Sequence, residues 1–332
     1  MRTTILFGGL NRERLVAVAS TQAVSAALPG ADLWFWDVGD TVHETQFEVL
    51  QKHERPFEVE FKPGTPSFGG VAQALDRAQA EGRVLVFGMH GGMAENGELQ
   101  VMCDMRGIAY VGSGSASSYL AFDKNNAKRF AAIAGLTTTT TVPLEDIETA
   151  LDRHGRLIAK PARDGSSYGL IFVNAKQDLV AVRRAAATEE YLIEAHVAGV
   201  EATCGVLERL DGSIIALPPI EIIPPEGGAF DYEAKYIAKA TQEICPGRFS
   251  PEVAAQLMDC AIKAHKALSC RGYSRSDFIV TEKGPVFLET NTLPGLTKAS
   301  LYPKALKAQG IEFVDFLNDQ IALAEGLANR PR

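Results

Sequence analysis

The chain has 332 residues, roughly two to three domains' worth at ~150 residues each. It is 46% hydrophobic and 22% charged, so there is ample apolar surface for packed cores and a disordered chain is excluded. Thirty-three basic residues stand against 41 acidic ones, a net charge of −8, which argues against a general nucleic-acid binder while leaving room for a local basic pocket for phosphates. No run approaches the ~18 apolar residues that a membrane span needs, so no membrane partner is expected. The first apolar run, Ile5–Phe7, is too short for a signal-peptide core. The five cysteines cannot all pair internally and none lies in a C-x-x-C, which points to reduced thiols and a cytoplasmic protein.

Thr3–Phe7 reads as a buried strand followed by Gly8 and Gly9. Asn11 is a good N-cap residue for a helix reaching about Leu28, where Pro29-Gly30 ends it. Val84–Phe87 and Ala109–Val111 are further strands, the second ending at Gly112-Ser113-Gly114. Strands alternating with helices predict a parallel α/β sheet in this first third. Ser115 to about Ala134 reads as one helix, and the threonine run at 137–141 as a strand or connector. Shorter strands at 157–160, 170–173, 191–195, 202–207 and 214–217 predict a mixed α+β region, and Pro224–Gly228 a loop. Pro251–Leu268 carries Val253, Leu257, Ala261, Ala264 and Leu268 on one helical face. Phe278–Val280 and Val286–Leu288 form a hairpin around Glu282-Lys283-Gly284, and a last helix spans about Val314–Leu327.

Gly112-Ser113-Gly114 follows a strand and opens a helix, like a dinucleotide fingerprint. Ser117 stands at the third glycine position, and no acidic residue follows at the required distance, so that reading fails. The segment Lys160–Gly169 places a lysine at a strand end and then a glycine- and serine-rich loop, whose N–H groups suit phosphate oxygens. A plain hairpin turn with a surface lysine is the other reading. Arg275 and Asp277 share a face of one strand, and Glu289 and Asn291 share a face of its partner. Folding that hairpin brings two carboxylates and an amide oxygen together, hard donors that suit magnesium bridged to nucleotide phosphates. Salt-bridged surface strands are the alternative, though the acids end a buried apolar run.

The run Phe287–Tyr302, which reads FLETNTLPGLTKASLY, resembles the C-terminal signature of the D-alanine–D-alanine ligase family of the ATP-grasp superfamily. Gly8-Gly9 with Glu13-Arg14, His90-Gly91 with Glu95, Gly97, Leu99 and Gln100, and Tyr110–Gly114 with Asp123-Lys124 resemble its earlier motifs. The same holds for Lys160-Pro161 through Gly165-Ser166-Ser167, for Phe230–Tyr236, and for Cys270–Tyr273 with Arg275 and Asp277. They occur in the family's order along nearly the whole chain.

This resemblance implies an α/β and α+β chain: an ATP-grasp fold preceded by an N-terminal parallel α/β (pre-ATP-grasp) domain. The implied units are residues 1–112 on the substrate side, 113–193 as the central ATP-grasp subdomain, and 194–332 as the C-terminal subdomain with the metal site and a mobile loop. The implied activity is ATP-dependent joining of two D-alanines through an acyl phosphate, for peptidoglycan precursors. By motif match, Lys124, Lys160, Ser166, Ser167, Glu194, Val197, Glu201 and Lys235 contact ATP. Asp277, Glu289 and Asn291 hold two Mg2+ ions, for which Mn2+ can substitute. Glu13, His90, Lys235 and Ser300 bind the amino acids. Glu13, Ser166, Tyr236, Arg275 and the Gly295 N–H act in catalysis, with Ser166 linking Glu13 to Tyr236. The loop sequence Asp231–Tyr236 resembles the amide-forming type of the family. Partners are then small-molecule amino acids, with a homodimer as the implied assembly.

Asn11, Leu15, Ala17, Ala94, Asn96 and Ala195 depart from the family's usual residues. The nucleotide and metal motifs are intact, so a related ligase joining other amino acids in a secondary-metabolite pathway is an alternative. A non-catalytic ATP-grasp nucleotide-binding protein is a second one. His196, Tyr168, Tyr232, Tyr273 and Cys245 read as structural residues, and His90 equally as a core hydrogen-bonding residue.

Overall fold

The computed structural model describes residues 1–165, 168–224 and 241–328. Three sheets organise the chain. In the first, the strands run in the order Val42–Thr45, Asp32–Trp36, Arg2–Gly8, Arg83–Gly88, Ala109–Tyr110. All neighbours are parallel except the first pair, an antiparallel edge. The parallel expectation therefore holds for four strands. Asp32–Trp36 and Val42–Thr45 lie outside the sequence-based expectation, although the aromatic run at 34–36 after Pro29-Gly30 is a strand signal. Trp34 and Trp36 are fully buried there.

The second sheet is antiparallel and small: Ile171–Val173, Leu157–Pro161, Tyr191–Ala195. Tyr191–Ala195 runs across the expected boundary at 193/194. The third sheet is the largest, in the order Gln242–Ile244, Ile220–Ile223, Val200–Glu208, Tyr273–Thr281, Gly284–Asn291, Thr137–Thr138, with Ile214–Ala216 beside Val200–Glu208. Its pairs are antiparallel except the last, where Thr137–Thr138 joins parallel to Gly284–Asn291. The 273–281/284–291 hairpin forms as expected, longer by several residues at each end.

Two helix expectations need correction. The first helix is Arg14–Ala27, not one capped by Asn11. Asn11 Oδ1 instead accepts the Glu13 N–H at 2.9 Å and its Nδ2 donates to His90 O at 2.7 Å, tying the turn before the helix to the 90s loop. The expected single helix from Ser115 is two, Ser115–Phe122 and Lys124–Ile133. Between them Asp123 is extended (φ −82°, ψ 103°) and its carboxylate accepts from Asn126 N at 3.1 Å, capping the second helix. Pro251–Ala267 and Phe313–Ala328 follow the expectations, and Leu257, Ala261, Ala264 and Leu268 are buried on the predicted face.

Three apolar cores result. One fills the N-terminal sheet and extends to Tyr273, Tyr302 and Phe316, because helix Phe313–Ala328 packs on Arg83–Gly88 and Ala109–Tyr110. A second lies under helices Lys124–Ile133 and Pro251–Ala267 against the large sheet, and a third backs the small sheet. All five cysteines are free. Among the described residues no helix is long and apolar enough to cross a membrane.

Candidate active site

A cleft of ≈ 1170 Å³ opens between the small and large sheets, with loops and helix starts beside the N-terminal sheet closing it. Glu13, His90, Lys124, Lys160, Glu194, Val197, Glu201, Arg275, Asp277, Glu289, Asn291, Gly295 and Ser300 all line it. The sequence-predicted residues Ser166, Ser167, Lys235 and Tyr236 lie outside the described residues, as do Phe230–Ala234.

The hairpin supplies the acidic wall. Register places Asp277 directly opposite Glu289 and Arg275 opposite Asn291. Like charges facing each other across two strands destabilise a sheet, and here cations offset them. Arg275 Nε and Nη2 donate to the two oxygens of Asp277, each at 3.0 Å. Thr203 Oγ1 also donates to Asp277, at 2.5 Å, and Lys124 Nζ lies 3.4 Å from Glu289. Asn291 Oδ1 accepts the Leu293 N–H at 3.2 Å. Two carboxylates and an amide oxygen side by side are the hard donors that a divalent cation takes. Among the described residues no three His, Cys, Asp or Glu gather in a metal-holding group, consistent with a set whose third donor is an amide.

A cationic wall faces this acidic one. Lys124 opens its helix, and its Nζ also donates to Asp164 O at 2.6 Å. Lys160 Nζ lies 3.0 Å from Glu194, which Lys128 and Thr139 also engage. Glu194 is buried, which pushes its carboxyl up, but Lys160 and Lys128 more than reverse this, and its net shift is downward. Burial pushes both lysines down and Glu194 pushes them up, for a net fall at Lys128 and a net rise at Lys160. Lys128 is missing from the residues read in the sequence. The available signal was its position one helical turn beyond Lys124, on the same face.

Glu13, also lining the cleft, precedes the first helix, and glycines crowd its carboxylate. A Cβ on Gly91 would fall 2.2 Å from Glu13 Oε2, and one on Gly165 2.7 Å from it. Gly91 also has φ +64°, so only glycine lets the backbone approach there. Glu95 is buried nearby. Burial first, and Glu13 second, push its carboxyl up to about 8, so it is protonated at neutral pH. Glu95 is a cleft residue that sequence reading placed only in a motif.

His90 has both ring nitrogens engaged. Nδ1 lies 3.1 Å from the Leu293 carbonyl, which can only accept, so Nδ1 carries the hydrogen. Nε2 then accepts from Ser20 Oγ at 2.7 Å. Burial pushes this imidazole down to about 4, so it stays neutral. It therefore ties the N-terminal sheet to the loop that carries Gly295. In that loop a Cβ on Gly295 would lie 2.8 Å from Ser300 Oγ, which in turn bonds Thr297 Oγ1 at 2.7 Å and accepts its N–H at 3.1 Å.

The positions that depart from the family pattern lie mostly off the cleft. Ala17 and Ala94 are fully buried in the core, and Leu15 and Asn96 do not line the cleft. Asn11 borders a smaller cavity of ≈ 270 Å³ beside it, and Ala195 lies in the cleft wall itself.

Comparison with known proteins shows the family. The family model described as "D-ala D-ala ligase N-terminus" matches residues 2–113, and that described as "D-ala D-ala ligase C-terminus" matches residues 143–322. The chain belongs to the D-alanine–D-alanine ligase family. D-alanine–D-alanine ligase of Corynebacterium diphtheriae is 32% identical over 98% of this chain and 95% of its own length. That of Halalkalibacterium halodurans is 32% identical over 98% and 99%. The crystal structure of VanG D-Ala:D-Ser ligase from Enterococcus faecalis matches with a TM-score of 0.78 at 27% identity, covering 97% of this chain and 99% of that one. D-alanine–D-alanine ligase from Coxiella burnetii shares the fold, with a TM-score of 0.79 at 23% identity over 99% and 94%. Membership makes this chain an ATP-dependent ligase acting on small amino-acid substrates, with the ATP-grasp fold that the sequence motifs imply.

Proposed function

We propose that the protein joins two D-alanines to D-alanyl-D-alanine with ATP, as a step in making peptidoglycan precursors. The observation that carries this is one continuous cleft in which lysines and a facing acid pair share the wall with a glycine-crowded carboxylate, Glu13. Such a cleft brings a triphosphate and an amino acid into line. Lys124 and Lys160 neutralise phosphate charge, and Glu194 holds Lys160 in place. Asp277, Glu289 and Asn291 are the residues that would hold two magnesium ions, or manganese, which supply further charge neutralisation at the phosphates.

Glu13 anchors the first ammonium. That substrate's carboxylate oxygen attacks the γ-phosphorus, giving an acyl phosphate and ADP. The second amine attacks the acyl carbon, and Arg275 and the Gly295 N–H stabilise the oxyanion, a donor type worth roughly 3–4 kcal/mol of barrier. Collapse expels phosphate and leaves the amide. Ser300 grips the second carboxylate, while Val197 and Glu201 belong to the nucleotide side. Ser166, Ser167, Lys235 and Tyr236 take the roles that the motif match gives them. The family resemblance further supports a working division at 1–112, 113–193 and 194–332, a homodimer and a cytoplasmic setting.

A D-Ala:D-Ser ligase is among the solved structures with this fold, so the second amino acid is the point that the test must read. Incubation with ATP, magnesium and pairs of D- and L-amino acids, with products identified by mass, is that test. D-alanyl-D-alanine as the main product, lost when magnesium is withheld, is the expected result. A different main product from the same panel, or full activity without a divalent cation, would contradict the assignment it concerns.

A further inference from the structure

Among the described residues, four of those numbered below 113 line the cleft: Glu13, Phe57, His90 and Glu95. Three are titratable and Phe57 is the only apolar one. Phe57 lies between helices Phe47–Gln51 and Val71–Ala80, in a stretch the sequence motifs do not touch. Its turn is closed on itself, since Glu58 N and Val59 N both donate to Arg55 O, at 3.1 and 3.0 Å. It is also anchored on both flanks. Gln22 Nε2 donates to Leu50 O and His53 O at 2.9 and 2.8 Å, and His53 Nε2 donates to Val59 O at 2.9 Å. Phe61 is buried against Phe7, Phe35 and His53, with ring centroids 5.8, 5.0 and 5.5 Å away. Finally Arg14 forks Glu60, with Nε donating to Oε2 at 3.1 Å and Nη2 to Oε1. Arg14 is the neighbour of Glu13, so this ion pair fixes the turn to the same helix start that presents Glu13.

A residue whose turn is tied down on both flanks costs little backbone entropy to use as a wall. An amino acid whose ammonium sits at Glu13 and whose carboxylate points to the phosphates has one group left to place, its side chain. The other contributors from this part of the chain are polar. We propose that Phe57 is the apolar wall that limits the size of the first amino acid's side chain, admitting a methyl group and excluding longer ones. This rests on the ligase reading of the cleft and on Glu13 as the ammonium anchor. Phe57 acts on specificity, not on the phosphoryl-transfer end of the cleft.

The test is a competition with ATP and magnesium, in which D-alanine competes with D-2-aminobutyrate and with D-valine. The products are fragmented in the mass spectrometer to read the N-terminal and C-terminal residues separately. Phe57→Ala should raise the share of the larger residues at the N-terminal position by roughly tenfold or more, the scale of one or two methylenes in an apolar pocket. The KM for ATP should stay unchanged. Phe57→Trp, which keeps the turn's apolar character should the alanine variant fold poorly, should lower that share below wild type. Wild-type selectivity at the N-terminal position in both variants, or a change confined to the C-terminal residue, would overturn the proposal while leaving the ligase reading intact. No dipeptide from the wild-type protein would overturn both.

Discussion

Two buried residues at the amino-acid end of the cleft carry opposite proton linkages. Glu95, pushed up to about 8 from an ordinary 4.5, keeps a proton that the unfolded chain loses. Its contribution to stability is complete below pH 4.5 and is lost as pH rises toward 8. His90, pushed down to about 4 from 6.5, lacks a proton that the unfolded chain takes up. Its contribution is complete above pH 6.5 and is lost as pH falls toward 4. The two slopes oppose each other between pH 4.5 and 6.5. From pH 6.5 to 8 that of Glu95 acts alone, at up to about 1.4 kcal/mol per pH unit, or roughly 2 kcal/mol in all. Urea unfolding of the wild type should therefore show falling stability over that interval, and Glu95→Gln should flatten it. A Glu95→Gln protein with the same pH slope as wild type would contradict the buried, protonated state assigned to this acid.

At the scale of elements, the break at Asp123 does the most for the site. It ends one helix and caps the next, so that Lys124 at the helix start lines the cleft near Glu289 and Lys128, one turn on, reaches Glu194. Arg163 Nε adds a contact to Asp123 at 2.8 Å, but Arg163 is half exposed and the pair contributes little. Asp123→Ala should cost about 1–2 kcal/mol by loss of the cap. It should also raise the KM for ATP, because the helix start frays. An unchanged urea midpoint with an unchanged KM would show that the cap has no such role.

This break was not legible in the sequence, because the apolar pattern through Leu120 and Phe122 runs on without a glycine or proline. The aspartate that caps the second helix looks like any helical surface acid. The edge strand Val42–Thr45 was equally hidden, being short and polar. The hairpin at 273–291 was legible, since alternation alone puts Arg275 with Asp277 and Glu289 with Asn291 on shared faces. Phe57 and Glu95 were not legible as cleft residues. Their place depends on how distant segments fold together, and no local period reports that. His90 was half legible: its motif was plain, but its bonds to Ser20 and Leu293 join residues 70 and 203 positions away.

At the scale of the whole molecule, the cleft exists because no sheet is complete on its own. Helix Phe313–Ala328 closes the core of the N-terminal sheet, and Tyr273 joins that core from the large sheet and Tyr302 from helix Leu301–Ala308. The acid pair comes from the large sheet, Lys160 from the small one, and Lys124 and Glu13 from the starts of two helices, and they meet only in the folded chain. In the proposed reaction these groups pass phosphate from ATP to an amino-acid carboxylate before the amide forms. D-Alanine carrying 18O in both carboxylate oxygens tests it directly. The attacking carboxylate oxygen becomes the bridge of the acyl phosphate and leaves with phosphorus when the amine displaces it. Mass analysis should then find one 18O in each inorganic phosphate released, none in ADP, and one labelled oxygen in the new amide carbonyl. Unlabelled phosphate released in step with dipeptide would contradict the account.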